Sequence, residues 1–501
     1  PDNCPAPLWA YHRTKQVFWQ GDRVATCKPR VNTYQLVSKF DKFDPDAKPS
    51  TEAFMAPLLD GAFAPDQCKE NDKRSIEARV NRVKDTTEPN LFVMKVMREF
   101  VELFSQGCKN SLAPVELEEV YNRQNTPQQR SVLERAEYIF APNRCVSSFM
   151  KRETGQNVTD PRNISTINGS DKRDYSAFMY AFSEYVKKFN WYAFGRSPAE
   201  QAARVAEICE VAKFVIETDF SRMDGRVGPC ARTLEQLLMM AMFKPKYQSE
   251  LYELMRSQTK LKGRTKFGVE YDTGLGRLSG SPETSVFNTL LNVFVAFLAL
   301  RRTKVDGKFL NADEAWARLG IYGGDDGVSR DIDSNVYTNA AKDVGQVLTS
   351  EIKTCGSTGV KFLARLFGPE VWHGDNNSMC DLPRTLSKFH TTVHLPDSIT
   401  GVDKLIDKAH ALSLTDANTP VIGQYVAKVL AHKPATFEFK NYGRKWLPED
   451  REDKQYPNRP ADWMIDLTRE MLPEFSFGQF NDWVNGDLEL DDLMHAPEFH
   501  P

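Results

Sequence analysis

The chain has 501 residues, with 65 basic and 68 acidic side chains, a formal charge of −3, 41% hydrophobic and 27% charged residues. That length gives a prior of about three domains or subdomains, and the balance is that of a folded protein with a sizeable core. It excludes collagen-like, mucin-like and disordered chains, and it excludes holding nucleic acid by bulk charge; any such binding must use local basic patches.

The N-terminus, PDNCPAPLW, shows neither a starting Met nor a signal-peptide core, so a fragment or processed product is expected. Nine scattered Cys, with no CxxC, read as reduced thiols. None of the eight His lies in an HExxH arrangement, so no structural metal is expected. The longest apolar run, Val293 to Leu300, falls well short of the roughly twenty residues that cross a bilayer. No membrane-spanning segment is expected.

In chain order, the first 70 residues are broken by Pro and Asp and read as irregular surface chain. Lys73, Arg74, Arg79, Arg82 and Lys84 cluster on a predicted helix. Leu91, Met94, Met97, Phe100, Val101 and Phe104 recur at helical spacing and predict a core helix over 88–106. Further helices are expected over 174–188, 198–209, 229–243 and 251–259, and a short hairpin over 266–278. The run KFVIETD (213–219) reads as a strand ending in a carboxylate. The most apolar helix spans 285–301. Leu319 to Ser329 reads as strand, tight turn, strand. A helix over 335–348, a hairpin over 360–367 and a Pro-punctuated remainder with an acidic tail complete the chain. That tail is read as a contact segment or disordered chain. The alternation makes the class α/β or α+β.

Three carboxylates stand at strand edges: Asp219 after an apolar strand, and Asp325 and Asp326 in a glycine-bracketed turn. Magnesium takes hard oxygen ligands, and two such ions can clamp the attacking and leaving oxygens of a phosphoryl transfer. An Asp-Asp-Gly alone is more often a polar turn. Its company changes the odds. Asp224 follows Asp219 by five positions, and SGSPETSVFNT places Thr284 and Asn288 on one helix face.

In that order the motifs resemble those of RNA-dependent RNA polymerases of positive-strand RNA viruses. TDFSRMDG looks like palm motif A, SGSPETSVFNT like motif B and YGGDDGVS like motif C. FMKRETGQNVTDPRNIS is similar to motif F and VKFLARLFG to motif E. The wording is most similar to nodavirus-type replicases. The extra glycine of YGGDD shifts Tyr322 from the usual pattern, so Tyr322 receives no role.

The resemblance implies an α+β right hand, with fingers in 1–203, palm in 204–370 carrying a fingers insertion near 244–278, and thumb and tail in 371–501. It implies two Mg²⁺ or Mn²⁺ ions on Asp219 and Asp325, with Asp326 auxiliary. Lys151, Arg152 and Arg162 would meet the incoming triphosphate. Ser279, Thr284, Asn288 and Asp224 would contact the nucleotide, with Asp224, Asn288 and Thr284 reading its 2′-hydroxyl. Lys353 would donate a proton to pyrophosphate, and Arg365 would contact RNA. Lys260, Lys262, Arg264 and Lys266 form a basic run expected to hold RNA phosphates. The implied partners are template and product RNA, NTPs, other replicase domains and further copies of the chain. The implied location is the cytoplasm of an infected host cell, at membrane-associated replication complexes reached through regions outside this chain. A reverse transcriptase, which places a bulky aromatic where Asp224 stands, an inactive RNA-binding scaffold, and a phosphatase or nuclease are the rival readings.

Overall fold

A computed structural model describes residues 33–34, 51–56, 58–139, 141–391, 399–435, 437, 454–497 and 499. Most of the first 50 residues, read above as irregular, lie outside the described part. Residues 51–65 within it are regular instead: Thr51–Ala56 and Leu59–Pro65 form an antiparallel hairpin beside Thr33–Tyr34.

The centre is a four-stranded antiparallel sheet, in which Ile321–Gly323 pairs with Asp326–Arg330, then Phe214–Phe220, then Leu348–Thr354. Strand alternation gives the sheet two buried faces. On one, Ile216 and Phe220 join the large core around the helix Thr284–Arg301. On the other, Val215, Ile321 and Val328 pack with Phe362 and Phe367 of a hairpin and with Val205 and Cys209 of the helix Pro198–Glu210. That helix starts where expected, because Ser197 and Glu200 form a reciprocal cap ahead of Pro198.

The helix Thr284–Arg301 is long and apolar enough to cross a membrane by length and composition, yet 78% of that stretch is buried inside the protein. Its apolarity serves the core. The expected helix over 88–106 is Leu91–Ser105, but its buried stripe runs through Val93, Val96, Met97, Phe100 and Phe104, while Leu91 is 93% exposed. The face rotates because Asn90 caps the helix and leaves Leu91 in its solvent-facing first turn. The segment expected to be helical through 348 turns into strand at Leu348, since a helix ending at Asp343 is followed by Gly345 at φ 81°.

A second sheet stacks Arg162–Thr166, Cys145–Lys151, Lys262–Thr265 and Glu270–Asp272. The hairpin expected over 266–278 therefore starts earlier, and its first strand pairs in parallel with Cys145–Lys151. A third core gathers the C-terminal helices, Gly401–Asp416 and Ile422–Ala431 among them. The acidic tail belongs to this core: Leu493 and Met494 are buried, and Tyr425 donates to the Leu493 carbonyl. Apolar residues between the carboxylates decide its fate. The segment after the strand Cys145–Lys151 meets both the C-terminal helices and the first hairpin: Thr154 Oγ1 donates to the Ser387 carbonyl at 3.0 Å, and Phe63 and Gly155 exchange backbone hydrogen bonds.

Candidate active site

The sheet positions the carboxylates by register. Gly327 lies opposite Thr218, so the turn Gly324-Asp325 projects beside Asp219 at the strand end. Gly324 has φ 64°, which suits the first central position of a two-residue hairpin turn and is costly for other residues. The extra glycine, Gly323, completes the strand by pairing with Asp326. Tyr322 turns inward, where its hydroxyl bonds Ser329 at 2.7 Å, which accounts for its lack of a site role. Oxygens of Asp219, Asp325 and Asp326 lie within 4.8 Å of one another. Burial, then Asp325 and Asp219, push Asp326 up to about 6. Burial, then Asp325, raise Asp219. Three hard oxygen donors that repel one another on a rigid frame fit a divalent cation.

Two residues that sequence reasoning missed hold this turn. Asn292 Nδ2 donates to the carbonyls of Gly324 at 3.1 Å and Asp326 at 3.0 Å. Thr289 Oγ1 accepts from the Gly324 amide at 2.9 Å. Thr289 follows Asn288 directly and Asn292 sits one turn beyond it on the same helix. The signal was there, as polar residues inside an otherwise apolar helix, but it resembles ordinary core polar satisfaction.

A cavity of about 750 Å³ runs from Asp219 and Asp325 past Asp224, Ser279, Thr284, Asn288 and Arg162. Asn288 Nδ2 donates to Asp224 Oδ1 at 2.7 Å. Burial raises Asp224, opposed by the Asn288 hydrogen bond and Arg277. Ser279 Oγ accepts from the Ser165 amide at 2.9 Å, tying motif B to the neighbouring sheet. Thr284 departs from expectation. Its hydroxyl donates to the Leu278 carbonyl at 2.7 Å or Ser281 carbonyl at 3.1 Å, so it braces the loop and can only accept from a ligand.

The cations differ from expectation too. Arg162 lines the cavity and is braced by Glu153 at 3.2 Å. Lys151, its cross-strand neighbour, binds the same Glu153 at 2.9 Å and stands behind Arg162. Neither Lys151 nor Arg152, which follows the strand end, is among the cavity residues. Arg79 and Arg222 take the places at the cavity instead. Arg222 Nη2 binds Asp160 at 2.6 Å and Nη1 donates to the Ala78 carbonyl at 2.9 Å. Burial, then Arg162 and Arg222, lower Arg79, the signature of clustered guanidiniums. Within the basic run 73–84, Arg74 pairs with Asp160 and Arg82 with Glu77.

Two further residues expected at the site stand away from the carboxylates. Lys353 lies opposite Val215, four ladder positions from the Thr349–Asp219 pair, about 13 Å away along a strand. Burial lowers its pKa, but Glu351 at 2.5 Å and Glu217 more than offset this. The strand end, not its middle, holds the carboxylates, so Lys353 does not reach them. Arg365 is 4% exposed, ion-paired with Asp416 at 2.7 Å and stacked on Tyr456 at 4.6 Å. It fastens the hairpin to the C-terminal helices and presents nothing to RNA. Lys260, Lys262, Arg264 and Lys266 are all exposed, as a phosphate-binding run requires.

With the geometry in place, the relationships to known proteins are consistent with it. No protein-family model matches the chain. Its fold matches the RNA-dependent RNA polymerase of a human picobirnavirus lacking an insertion loop, with a TM-score of 0.56 and 13% identity over 72% of this chain and 74% of that one. In sequence it is 31% identical over 416 residues to the RNA-directed RNA polymerase of Boolarra virus, covering 79% of this chain and 40% of that protein. For the polymerase of Flock house virus the identity is 31% over 411 residues, 77% of this chain and 40% of the relative. For Atlantic halibut nervous necrosis virus it is 28% over 405 residues, 78% and 40%. The fold is that of the viral RNA-dependent RNA polymerase it matches, a right-handed polymerase fold. In sequence the chain is a relative of the nodavirus enzymes and spans about two fifths of their length.

Proposed function

We propose that the chain performs template-directed RNA synthesis, joining the α-phosphate of an NTP to the 3′-hydroxyl of a growing strand, with pyrophosphate leaving, to replicate a viral genome. The observation that carries this reading is a single cavity lined by two carboxylates of the cluster, Asp219 and Asp325, by the amide–carboxylate pair Asn288–Asp224 and by the guanidiniums of Arg79, Arg162 and Arg222. A phosphatase or nuclease has no use for that combination.

Asp219 and Asp325, with Asp326 beside them, would hold two Mg²⁺ or Mn²⁺ ions. Bound there, such ions activate the hydroxyl and stabilise charge on the transferred phosphate and its leaving group. Arg79, Arg162 and Arg222 offset the remaining triphosphate charge, with Lys151 behind them. The pair Asp224–Asn288 leaves Asp224 Oδ2 and one Asn288 amide hydrogen uncommitted among the described residues. A 2′-hydroxyl can donate to the first and accept from the second. A site built this way penalises a nucleotide lacking the hydroxyl.

Template and product RNA would contact the exposed run Lys260, Lys262, Arg264 and Lys266. Other replicase domains and further copies of the chain are the remaining partners, since the relatives are much longer. The site of action is the cytoplasm of an infected cell, at membrane-associated complexes reached through other regions. The hand divides into fingers in 1–203, palm in 204–370 with the insertion near 244–278, and thumb in 371–501.

Primer extension on a homopolymeric RNA template tests the reading. The expected result is labelled product with NTPs and Mg²⁺ or Mn²⁺, none with EDTA and far less with dNTPs. Equal use of dNTPs, or product in EDTA, would overturn it.

A further inference from the structure

Behind the Asp224–Asn288 pair lies a group of charges that the reaction does not touch. Arg277 has a fully buried guanidinium that donates through Nε to Asn288 Oδ1 at 3.0 Å. Its Nη1 donates to Glu283 Oε1 at 2.8 Å, and its Nη2 binds Glu235. Arg232 closes the quartet, reaching Glu235 at 2.9 Å and Glu283 at 2.7 Å. Tyr175 donates to the other Glu283 oxygen at 2.7 Å, and the Arg277 guanidinium lies over the Phe287 ring at 5.4 Å. Two arginines and two glutamates neutralise one another, and every side of the Arg277 fork is engaged.

We infer that Arg277 is a positioning residue for sugar selection: its Nε–H fixes the Asn288 amide so that its donor, not its acceptor, meets the nucleotide's 2′-hydroxyl. The inference rests on the ribose-reading role proposed above. A guanidinium has donors only, so the Asn288 atom facing it must be the oxygen. Nδ2 is thereby turned to Asp224 and the cavity. The pair then offers one donor and one acceptor, which matches a hydroxyl. A turned amide would offer an oxygen beside the Asp224 carboxylate, two acceptors that a hydroxyl cannot satisfy together. The terminal torsion of Asn288 is soft; the Asp224 carboxylate favours the observed orientation from the nitrogen side, and Arg277 fixes it from the oxygen side. Lysine cannot replace Arg277, since a single ammonium lacks the planar fork that reaches both glutamates and Asn288.

The test compares the ratio of kcat/KM for a matched NTP and dNTP, and, independently of turnover, the ratio of their Kd on template-bound protein. Arg277→Lys should lower both ratios by about tenfold, the size of one hydrogen bond to a charged group. Asn288→Ala should do the same, and the double variant should fall no further than Asn288→Ala alone. Tyr175→Phe loosens the same buried group without touching Arg277 or Asn288. It should lower the melting temperature and leave the ratios as in the wild type.

Unchanged ratios in Arg277→Lys, beside reduced ratios in Asn288→Ala, would overturn the positioning role while the ribose reading stands. Unchanged ratios in both would remove the ribose reading itself, and the inference with it. Ratios lowered equally by Tyr175→Phe would reduce Arg277 to a structural residue. Should Arg277→Lys fail to fold, Asn288→Asp reads the same geometry. It keeps an oxygen for Arg277 but replaces the donor with an acceptor, so its ratios should fall at least as far as those of Asn288→Ala. Wild-type ratios in Asn288→Asp would contradict the inference.

Discussion

Asn292 donates its side-chain amide to the carbonyl of Gly324 at 3.1 Å, and through the same nitrogen to that of Asp326 at 3.0 Å. One buried side chain on the core helix therefore grips both sides of the turn that presents Asp325. A leucine there would take the donor from two half-buried carbonyls, at a cost of about 1–2 kcal/mol. Asn292→Leu is expected to lower the unfolding free energy by that amount and to cut nucleotide incorporation at least tenfold. RNA affinity should stay as it is. Wild-type incorporation in the folded variant would show that the turn holds its shape without the helix.

Arg365 yields a prediction opposite to the one its motif suggests. Its guanidinium and Asp416 are both buried, so Arg365→Met strands a buried carboxylate, at a cost of about 3–5 kcal/mol. Denaturant unfolding should show a loss of this order, with the salt dependence of RNA binding unaltered. A reduced salt slope without loss of stability would restore the RNA-contact role.

The basic run behaves differently because it is exposed. Replacing Lys260, Lys262, Arg264 and Lys266 with Gln should lessen the salt slope of single-stranded RNA binding by up to about 3, at roughly 0.7 per phosphate neutralised. The melting temperature should hardly change. An unaltered slope would make these residues a solvated face.

His390 gives the C-terminal core a pH dependence. It is buried, its Nε2 lies 2.9 Å from the Tyr425 hydroxyl, and that hydroxyl donates onward to the Leu493 carbonyl. The histidine must therefore donate to the tyrosine oxygen and remain neutral. Burial, then Lys408 and His495, push its pKa down to about 3. A histidine depressed in the fold binds its proton more readily when unfolded, so this contribution is intact above pH 6.5 and is lost as pH falls toward 3. At pH 5 the loss is about 2 kcal/mol. His390→Phe should flatten stability against pH between 6.5 and 5. An equally steep profile in the variant would assign the acid sensitivity elsewhere.

The palm was the most legible part of the chain, because its strands are short, apolar and ended by chemistry. Asp219 closes a strand of β-formers, and Asp325 stands in a turn that glycine makes possible. Periodicity and turn residues report such local facts directly. What it could not report was which distant groups arrive at the same place. Arg222 stands in plain view within TDFSRMDG, yet only the fold brings it to Arg79, more than a hundred residues away. Lys353 and Arg365 failed for the complementary reason. A lysine's position in a motif does not fix its rung on the ladder, and an arginine in a hairpin does not disclose an Asp416 waiting behind it. Arg277 lies beside the Ser-Gly of motif B and passed unremarked, since its partners Glu235 and Glu283 come from two different helical segments.

Asp219, Asp325 and Asp326 are proposed as the metal-binding centre of an RNA polymerase. Primer extension on an RNA template with labelled NTPs, for the wild type and Asp325→Ala side by side with Mg²⁺ or Mn²⁺, tests this. Metal-dependent product is expected from the wild type, and none from an Asp325→Ala protein that folds and binds RNA as well as its parent. Undiminished synthesis by Asp325→Ala would mean that the metal centre lies elsewhere.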